Sequence, residues 1–398
     1  VDERTEVDDR RDDTLADLTL VQVVEERGAR LGLRLLEQGA AREHDVVAVL
    51  VELEDLGLDL LAEVRREVAD ATQLDERGGQ VHPKARHEHQ AKHGLLGGAR
   101  VHAETTGNAH FFANSELDCF AQIRALVDYL PDSNRAKVPL VAPKAPKPEY
   151  QIDALIPKDS KIPFDVRDIV RSLVDESEFL EVQELFAPNA ITGFARINGE
   201  TVGIVGNQAL VLAGVLDIDA SDKIARFIRF CDAFNIPLLT LMDIPGYLPG
   251  SDQEHNGVIR HGAKVLYAYC EATVPMVSII ITRKSYGGAH LAMNSRQMRA
   301  DLAFSWPTGQ IAVMGAEGAV NVLYRDEIKK AEDPKKREQE ILEAYREEFL
   351  NPYRAADVGQ IDEVIEPAET RPRLALALEV LRTKVAQNPP RKHGLMPV

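Results

Sequence analysis

The sequence predicts an α/β fold from about residue 94 onward. Short apolar runs typical of buried strands alternate there with segments whose apolar residues recur at helical spacing. Glycine and proline mark the junctions between these segments, where the chain must turn. In a sheet built from such units, we expect a ligand at the turns that leave the strands.

The elements follow one another in a regular order. The segment 221–234 is predicted as a helix, because Ile224 and Ile228 recur on one face together with Phe227 and Cys231. The charged segment 324–349 is predicted as a solvated helical excursion interrupted near its proline, with a basic binding patch as the alternative. The other predicted elements are strands at 201–206, 236–242, 274–281, 300–304 and 310–314, a helix at 257–272, and a helix that begins near Ala289.

The composition excludes several classes of function. A net charge of −17 argues against a nucleic-acid-binding protein, which holds phosphates with surplus Lys and Arg. Cys119, Cys231 and Cys270 are far apart, which favours reduced thiols, and no His/Cys cluster has metal-site spacing. No apolar run approaches the roughly 20 residues that span a membrane. We therefore expect a cytoplasmic protein without a metal, a nucleic-acid partner or a membrane span.

The first 93 residues differ from the rest of the chain in composition. From Val1 to His93 there is no Ile, Phe, Tyr, Trp, Met, Cys, Ser or Asn. A core without aromatic residues lacks its largest apolar side chains. We interpret residues 1–93 as an anomalous low-complexity segment, which is either a wrong-frame or wrong-strand translation of GC-rich DNA or a disordered or helical stretch.

A glycine-rich segment, Thr282-Arg283-Lys284-Ser285-Tyr286-Gly287-Gly288-Ala289-His290, follows the predicted strand at 274–281 and opens a helix. Glycines permit close approach and positive φ, and the start of a helix offers unpaired N–H groups with a favourable dipole. An oxyanion could be held there without a charged side chain. A tight turn that needs glycine only for its shape explains the local sequence equally well, since the segment is neither a P-loop nor a GxGxxG fingerprint.

A second turn, at 243–250, follows the strand predicted at 236–242. Its two Pro-Gly pairs, which include Pro245 and Gly246, fix its shape, as suits a loop that lines a pocket. The helix after it contains His261, which is a candidate general base or an exposed surface residue. The sequence contains no Gly-x-Ser-x-Gly nucleophile elbow.

These motifs occur together with others in a fixed order, at 96–102, 107–110, 166–174, 193–196, 203–208, 225–232, 243–250, 286–289, 306–308, 312–316 and 391–394. The series resembles the carboxyltransferase (beta) subunits of biotin-dependent acyl-CoA carboxylases. Similar proteins are the propionyl-CoA and acetyl-CoA carboxylases, the alpha subunits of methylmalonyl-CoA decarboxylases, and the transcarboxylases. The resemblance extends from about residue 94 to residue 398.

The resemblance implies a crotonase-like fold, in which each subunit has two ββα superhelical domains. Residues 94–130 would be the tail of the N-terminal domain, most of which is expected to be missing, and 131–398 the C-terminal domain. The active site would lie between domains of two protomers, so we expect a homo-oligomer. Backbone N–H groups of Gly288 and Ala289 would form an oxyanion hole for the ureido oxygen of biotin. The biotin and substrate pocket would be lined by Tyr286, Gly287, His290, Leu291, Pro245, Gly246, Gly315 and Ala316.

The resemblance also implies the reaction and its partners. A carboxyl group would move between carboxybiotin and propionyl-CoA or acetyl-CoA, giving methylmalonyl-CoA or malonyl-CoA. The alternatives are the alpha subunit of a biotin-dependent methylmalonyl-CoA decarboxylase, a catalytically incomplete fragment, and a crotonase-like hydratase or isomerase. No Met-Lys-Met biotinylation motif or ATP-binding signature is present, so a biotin carboxyl carrier protein and a biotin carboxylase subunit would be separate partners. Leu291 stands where propionyl-CoA carboxylases commonly have Asp, which leaves the acyl group open.

Overall fold

The computed structural model describes residues 97–157 and 162–397, so the predictions for residues 1–93 lie outside the described residues. The strands are β1 (Leu180–Glu181), β2 (Ala190–Ile197), β3 (Glu200–Asn207), β4 (Leu238–Ile244), β5 (Met276–Tyr286), β6 (Leu302–Ser305), β7 (Ile311–Ala312) and β8 (Glu363–Val364). The helices are α1 (Ala99–Val101), α2 (Glu116–Tyr129), α3 (Ile152–Leu155), α4 (Val166–Leu173), α5 (Ile218–Ala233), α6 (Ser251–Asn256), α7 (Val258–Glu271), α8 (Gly287–Ala292), α9 (Ala316–Leu323), α10 (Arg325–Lys330), α11 (Pro334–Phe349), α12 (Pro352–Asp357) and α13 (Thr370–Leu381).

The strands form one mixed sheet in the order β1-β2-β3-β4-β5-β6-β8, and β7 pairs with the end of β5. β1, β2 and β3 pair antiparallel, whereas every pair from β3 onward is parallel. The hairpin between β2 and β3 turns at Asn198 and Gly199, which have φ of 53° and 81°, as the tight Asn-Gly hairpin requires. Parallel neighbours need crossovers, and α5 and α7 provide the first two.

Each face of the sheet is covered by helices. α5 and α7 pack against one face, and the apolar stripe predicted for α5, with Ile224, Phe227, Ile228 and Cys231, is buried there. α4 and α13 pack against the other face, where Trp306 is fully buried and its Nε1 donates to Thr370 Oγ1 at 2.9 Å. These contacts confirm the α/β class and the prediction that α5 faces the core.

Two boundaries next to the glycine-rich segment were wrong. β5 was predicted to end near residue 281, but it runs to Tyr286, and α8 begins at Gly287 rather than near Ala289. The strand continues because Ser285 pairs with Ile244 on one side and with Ile311 on the other. The polar residues that suggest a turn therefore lie in the strand, and the turn is confined to the glycines.

The segment after β7 agrees with the predicted excursion. α10 and α11 are separated near Pro334, which is the first residue of α11, where a helix tolerates proline. The predicted strand at 310–314 is shorter than expected, since only Ile311–Ala312 pairs in the sheet. No helix within residues 97–157 and 162–397 is both long and apolar enough to cross a membrane.

The segment before β1 adds a small core of its own. Ala103, Ala109, Cys119 and Ile123 form a buried cluster between the first two helices of the described chain, separate from the two clusters on the sheet. The division of the chain near residue 130 stays a prediction.

Candidate active site

The two glycines between β5 and α8 have different surroundings. Gly287 has φ of 56°, and a Cβ built on it would lie 2.9 Å from the carbonyl oxygen of Val313. Only glycine fits this position without strain. Gly288 is exposed, and a Cβ built on it would meet nothing within 4 Å. The chain is therefore tightly packed at Gly287 and open to an approaching molecule at Gly288.

The start of α8 has the features of an oxyanion site. The first N–H groups of a helix have no acceptor within that helix, and Tyr286, which precedes α8, makes no side-chain capping bond. Ala289 is buried in the core and holds the first turn of α8 in place, while Gly288 remains accessible. The N–H group of Gly288 is thus open to an external acceptor, and the helix dipole favours a negative one. Ala289 has no exposed surface, so the role of its N–H group stays a prediction.

β7 and the start of α9 lie beside this turn. Ala312 pairs with Tyr286, and Gly315 immediately precedes α9. A Cβ built on Gly315 would lie 3.5 Å from Cε2 of Tyr286, and Ala316 is buried. The structure therefore brings Gly315 and Ala316 to the same place as Tyr286, while their contact with biotin stays a prediction.

The hydroxyl of Tyr286 is held by one neighbour. Its Oη donates to Oε1 of Gln310 at 2.5 Å. Burial raises the pKa of Tyr286 to about 12, and the carboxylates of Glu317 and Asp243 contribute less to the same shift. Tyr286 keeps its proton at neutral pH, so it can orient a ligand but is a poor general base. Sequence reasoning missed Gln310, which only the pairing of β7 with β5 brings near Tyr286.

The Pro-Gly loop begins on the other side of the turn. Ile244, the last residue of β4, pairs with Ser285, so Pro245 and Gly246 leave the sheet next to the end of β5. The carbonyl of Gly246 accepts a hydrogen bond from Leu216 N at 3.1 Å. This bond attaches the loop to the segment before α5, which agrees with the predicted rigidity.

Two predicted pocket residues on α8 differ in exposure. Leu291 is 38% exposed, whereas His290 is only 7% exposed. The Nδ1 of His290 lies 2.6 Å from the Oγ of Ser285, and burial lowers the pKa of His290 to about 4. His290 is therefore neutral near pH 7. Ser285 lies in the segment 282–290 that the sequence singles out, but its bond with His290 was not predicted, because the polar residues around it favour a turn over a strand.

His261 lies in a different arrangement. Its Nδ1 is 2.9 Å from the Asp222 carboxylate, and Lys264 Nζ lies 2.8 Å from the same carboxylate. The three residues link α5 to α7 as a polar cluster around Asp222, so a structural role accounts for His261. Among the residues that the structure describes, no group of His, Cys, Asp and Glu could hold a metal ion.

Comparisons with known proteins find chains of high sequence identity. The chain is 52% identical over 305 residues to the propionyl-CoA carboxylase carboxyltransferase subunit of Haloferax mediterranei, covering 76% of this chain and 59% of that protein. It is 49% identical over 306 residues to the methylmalonyl-CoA decarboxylase subunit alpha of Veillonella parvula, covering 76% of this chain and 58% of that protein. The chain therefore spans less than two thirds of the relatives it matches.

A solved structure shows the same fold. The crystal structure of the transcarboxylase 12S hexamer, with methylmalonyl-coenzyme A and methylmalonic acid bound, has a TM-score of 0.73 and 48% sequence identity. The similarity covers 77% of this chain and 59% of that chain. It confirms the predicted crotonase-like carboxyltransferase fold. The protein-family model described as the carboxyl transferase domain matches residues 78–396. The chain therefore belongs to the carboxyl transferase domain family.

Proposed function

We propose that this chain is a carboxyltransferase subunit that moves a carboxyl group between carboxybiotin and an acyl-CoA. The observation that carries the proposal is the open start of α8, where Gly288 leaves space for a ligand beside two N–H groups. Relatives of this family are carboxyltransferase subunits of propionyl-CoA carboxylases. Propionyl-CoA and acetyl-CoA are the proposed substrates, with methylmalonyl-CoA and malonyl-CoA as products.

The residues at this turn fit the ureido group of biotin. A ureido oxygen needs N–H donors and close backbone approach, and the space above Gly288 allows that approach. When bound, biotin supplies the carboxyl group and, once free of it, a basic nitrogen for the α-proton of the acyl-CoA. The N–H groups of Gly288 and Ala289 donate to the ureido oxygen, where negative charge develops. Loss of one such donor typically lowers the rate on the order of 10²–10³-fold.

The side chains around the turn shape the site rather than transfer protons. Neutral Tyr286, held by Gln310, closes one side of the turn, and exposed Leu291 presents an apolar surface. The proposed pocket also includes Pro245, Gly246, Gly315, Ala316 and Gly287 of α8, whereas His290 is buried behind the turn. Because backbone N–H groups and biotin would carry the chemistry, no side-chain acid or nucleophile is conspicuous in the sequence.

A decarboxylase subunit is the second candidate. The identity to the methylmalonyl-CoA decarboxylase subunit alpha, 49%, is close to the 52% found for a propionyl-CoA carboxylase subunit. The same carboxyl transfer serves both kinds of complex in opposite directions. The catalytically incomplete fragment stays a prediction.

The partners and the location belong to the same proposal. We assign a biotin carboxyl carrier protein and a biotin carboxylase as separate partner subunits. A homo-oligomer is supported by the hexamer described for the transcarboxylase 12S protein. A cytoplasmic location is supported by Cys119, Cys231 and Cys270, which carry free thiols.

Transfer of the carboxyl group from carboxybiotin to an acyl-CoA tests the proposed function. The purified chain is mixed with a carboxylated biotin carrier protein and either propionyl-CoA or acetyl-CoA, and the malonyl-type product is measured. We expect product to form with at least one acyl-CoA, and the ratio of the two rates identifies the preferred acyl group. Release of CO₂ from the carrier at the uncatalysed rate, without any acyl-CoA product, would contradict the proposal for a chain that is folded.

A further inference from the structure

We infer that Ser285 and His290 form a positioning pair that fixes the turn between β5 and α8 through the hydrogen bond between Ser285 Oγ and His290 Nδ1. The inference rests on the proposed function, because the turn carries the N–H groups of Gly288 and Ala289. It assigns to His290 a role beneath the turn instead of direct contact with biotin.

The hydrogen bond connects two points that are themselves well anchored. Ser285 is fully buried and pairs with neighbours on both sides of β5, and its N–H donates to the Gln310 carbonyl at 2.9 Å. His290 lies on α8, whose Ala289 and Ala292 are fully buried in the core. The 2.6 Å bond between the two side chains therefore closes a ring around the residues 286–289.

The turn needs such a restraint. Gly287 and Gly288 lack the Cβ atoms that limit backbone torsions, so each glycine can adopt many conformations. α8 has only six residues and no side-chain cap, and so short a helix is marginal without tertiary contacts. The packed alanines hold one face of α8, and the Ser285–His290 bond is a direct polar link from this helix to the strand before the turn.

The hydrogen-bonding partners assign the proton. Burial lowers the pKa of His290 to about 4, so the ring carries one N–H near pH 7. Ser285 Oγ also lies 3.5 Å from Met242 Sδ, a weak acceptor. If His290 Nδ1–H donates to Ser285 Oγ, the serine hydroxyl is left free to donate to Met242. The Nε2 atom of His290 is buried and makes no hydrogen bond within the described residues. In this tautomer Nε2 carries no proton, so the group without a partner is a lone pair and not an N–H donor.

A more mobile turn should weaken stabilisation of the transition state more than binding of the substrate. The N–H groups must meet the ureido oxygen where charge develops, and a displacement of about 1 Å can cost on the order of 10²-fold in rate. Ground-state binding of the acyl-CoA does not depend on that alignment. We therefore expect loss of the pair to lower kcat about 30-fold with little change in KM for the acyl-CoA.

The experiment compares Ser285→Ala, His290→Gln and His290→Asn with the wild-type chain. The end group of asparagine occupies about the position of Nδ1, whereas the end group of glutamine occupies about the position of Nε2. If the pair positions the turn, Ser285→Ala and His290→Gln lose about 30-fold in kcat, and His290→Asn stays within about threefold of wild type. The free energy of unfolding, measured for every variant with urea, separates this effect from general destabilisation.

The opposite pattern would overturn the inference. If His290→Gln is active and His290→Asn is not, Nε2 contacts the reacting groups and His290 is not a positioning residue. Equal activity of all four chains would also overturn it. A folded wild-type chain without any carboxyl transfer contradicts the proposed function instead, and the NMR resonances of the His290 ring nitrogens then test the pair. Resonances of Nδ1 and Nε2 that are the same in Ser285→Ala and in the wild-type chain would contradict the pair.

Discussion

Replacing Gly288 with valine should lower kcat for carboxyl transfer on the order of 10³-fold or more. A Cβ on Gly288 projects into open space, so the branched side chain of valine would occupy the volume through which the ureido oxygen approaches. Both N–H donors, at Gly288 and Ala289, would then be blocked at once. The effect should exceed the loss of a single oxyanion donor, and steady-state kinetics with a carboxylated biotin carrier measure it.

Two control variants isolate the cause. Gly288→Ala adds a smaller group at the same place and should lose activity to an intermediate degree without loss of stability, because nothing lies within 4 Å of the new Cβ. Gly97→Val makes the same substitution far along the chain from the turn, where the nearest atom to an added Cβ is His102 Nε2 at 3.8 Å. It should remain active. Full activity of a folded Gly288→Val variant would refute the assigned oxyanion site.

Replacing Lys223 with methionine should destabilise the protein by about 3 kcal/mol. Lys223 lies on α5 and is 1% exposed, and its ammonium group is surrounded by backbone carbonyls of the segment before β2 and of the first residue of β2. Methionine resembles the aliphatic part of lysine but lacks the ammonium group, so these carbonyl oxygens lose a buried donor. The Nζ atom donates to the carbonyl oxygens of Gln183 at 2.9 Å, Phe186 at 2.8 Å, Ala187 at 3.4 Å and Ala190 at 2.8 Å.

Urea unfolding measures this destabilisation. Burial lowers the pKa of Lys223 to about 7, so the comparison belongs at about pH 6, where the side chain is a cation. Lys144→Met is the matched control, because the Lys144 ammonium is likewise held at short distance, by an ion pair of 2.7 Å to Glu176, but its side chain is 54% exposed. The control should leave the unfolding midpoint nearly unchanged. Equal effects of the two substitutions would show that the carbonyl cluster around Lys223 adds no particular stability.

The sequence predicts those parts of the fold that depend on local patterns. The helical spacing of Ile224 and Ile228 identified the buried face of α5, and the apolar run of β4 identified a buried strand. The end of β5 was predicted wrongly because its last residues are polar. Their conformation is set by pairing with β4 and β7, which is a contact between distant parts of the chain.

The candidate site also has parts that the local sequence predicts and parts that depend on contacts between distant residues. The Gly-Gly turn was visible as a motif, since a strand, two glycines and a helix are consecutive in the chain. The Ser285–His290 bond depends on side-chain direction across the turn, and no spacing rule indicates it. The proximity of Gly315 to Tyr286 depends on the pairing of β7 with β5, so only the resemblance to carboxyltransferases suggested it beforehand.

The most direct test of the central claim is decarboxylation of methylmalonyl-CoA and malonyl-CoA by the purified chain, with and without free biotin. Free biotin replaces the carrier protein, so the measurement isolates the site at the start of α8. We predict that biotin stimulates CO₂ release and that the stimulation is absent in Gly288→Val. A folded chain whose CO₂ release is the same with and without biotin would contradict the claim that this chain carries a carboxyltransferase site.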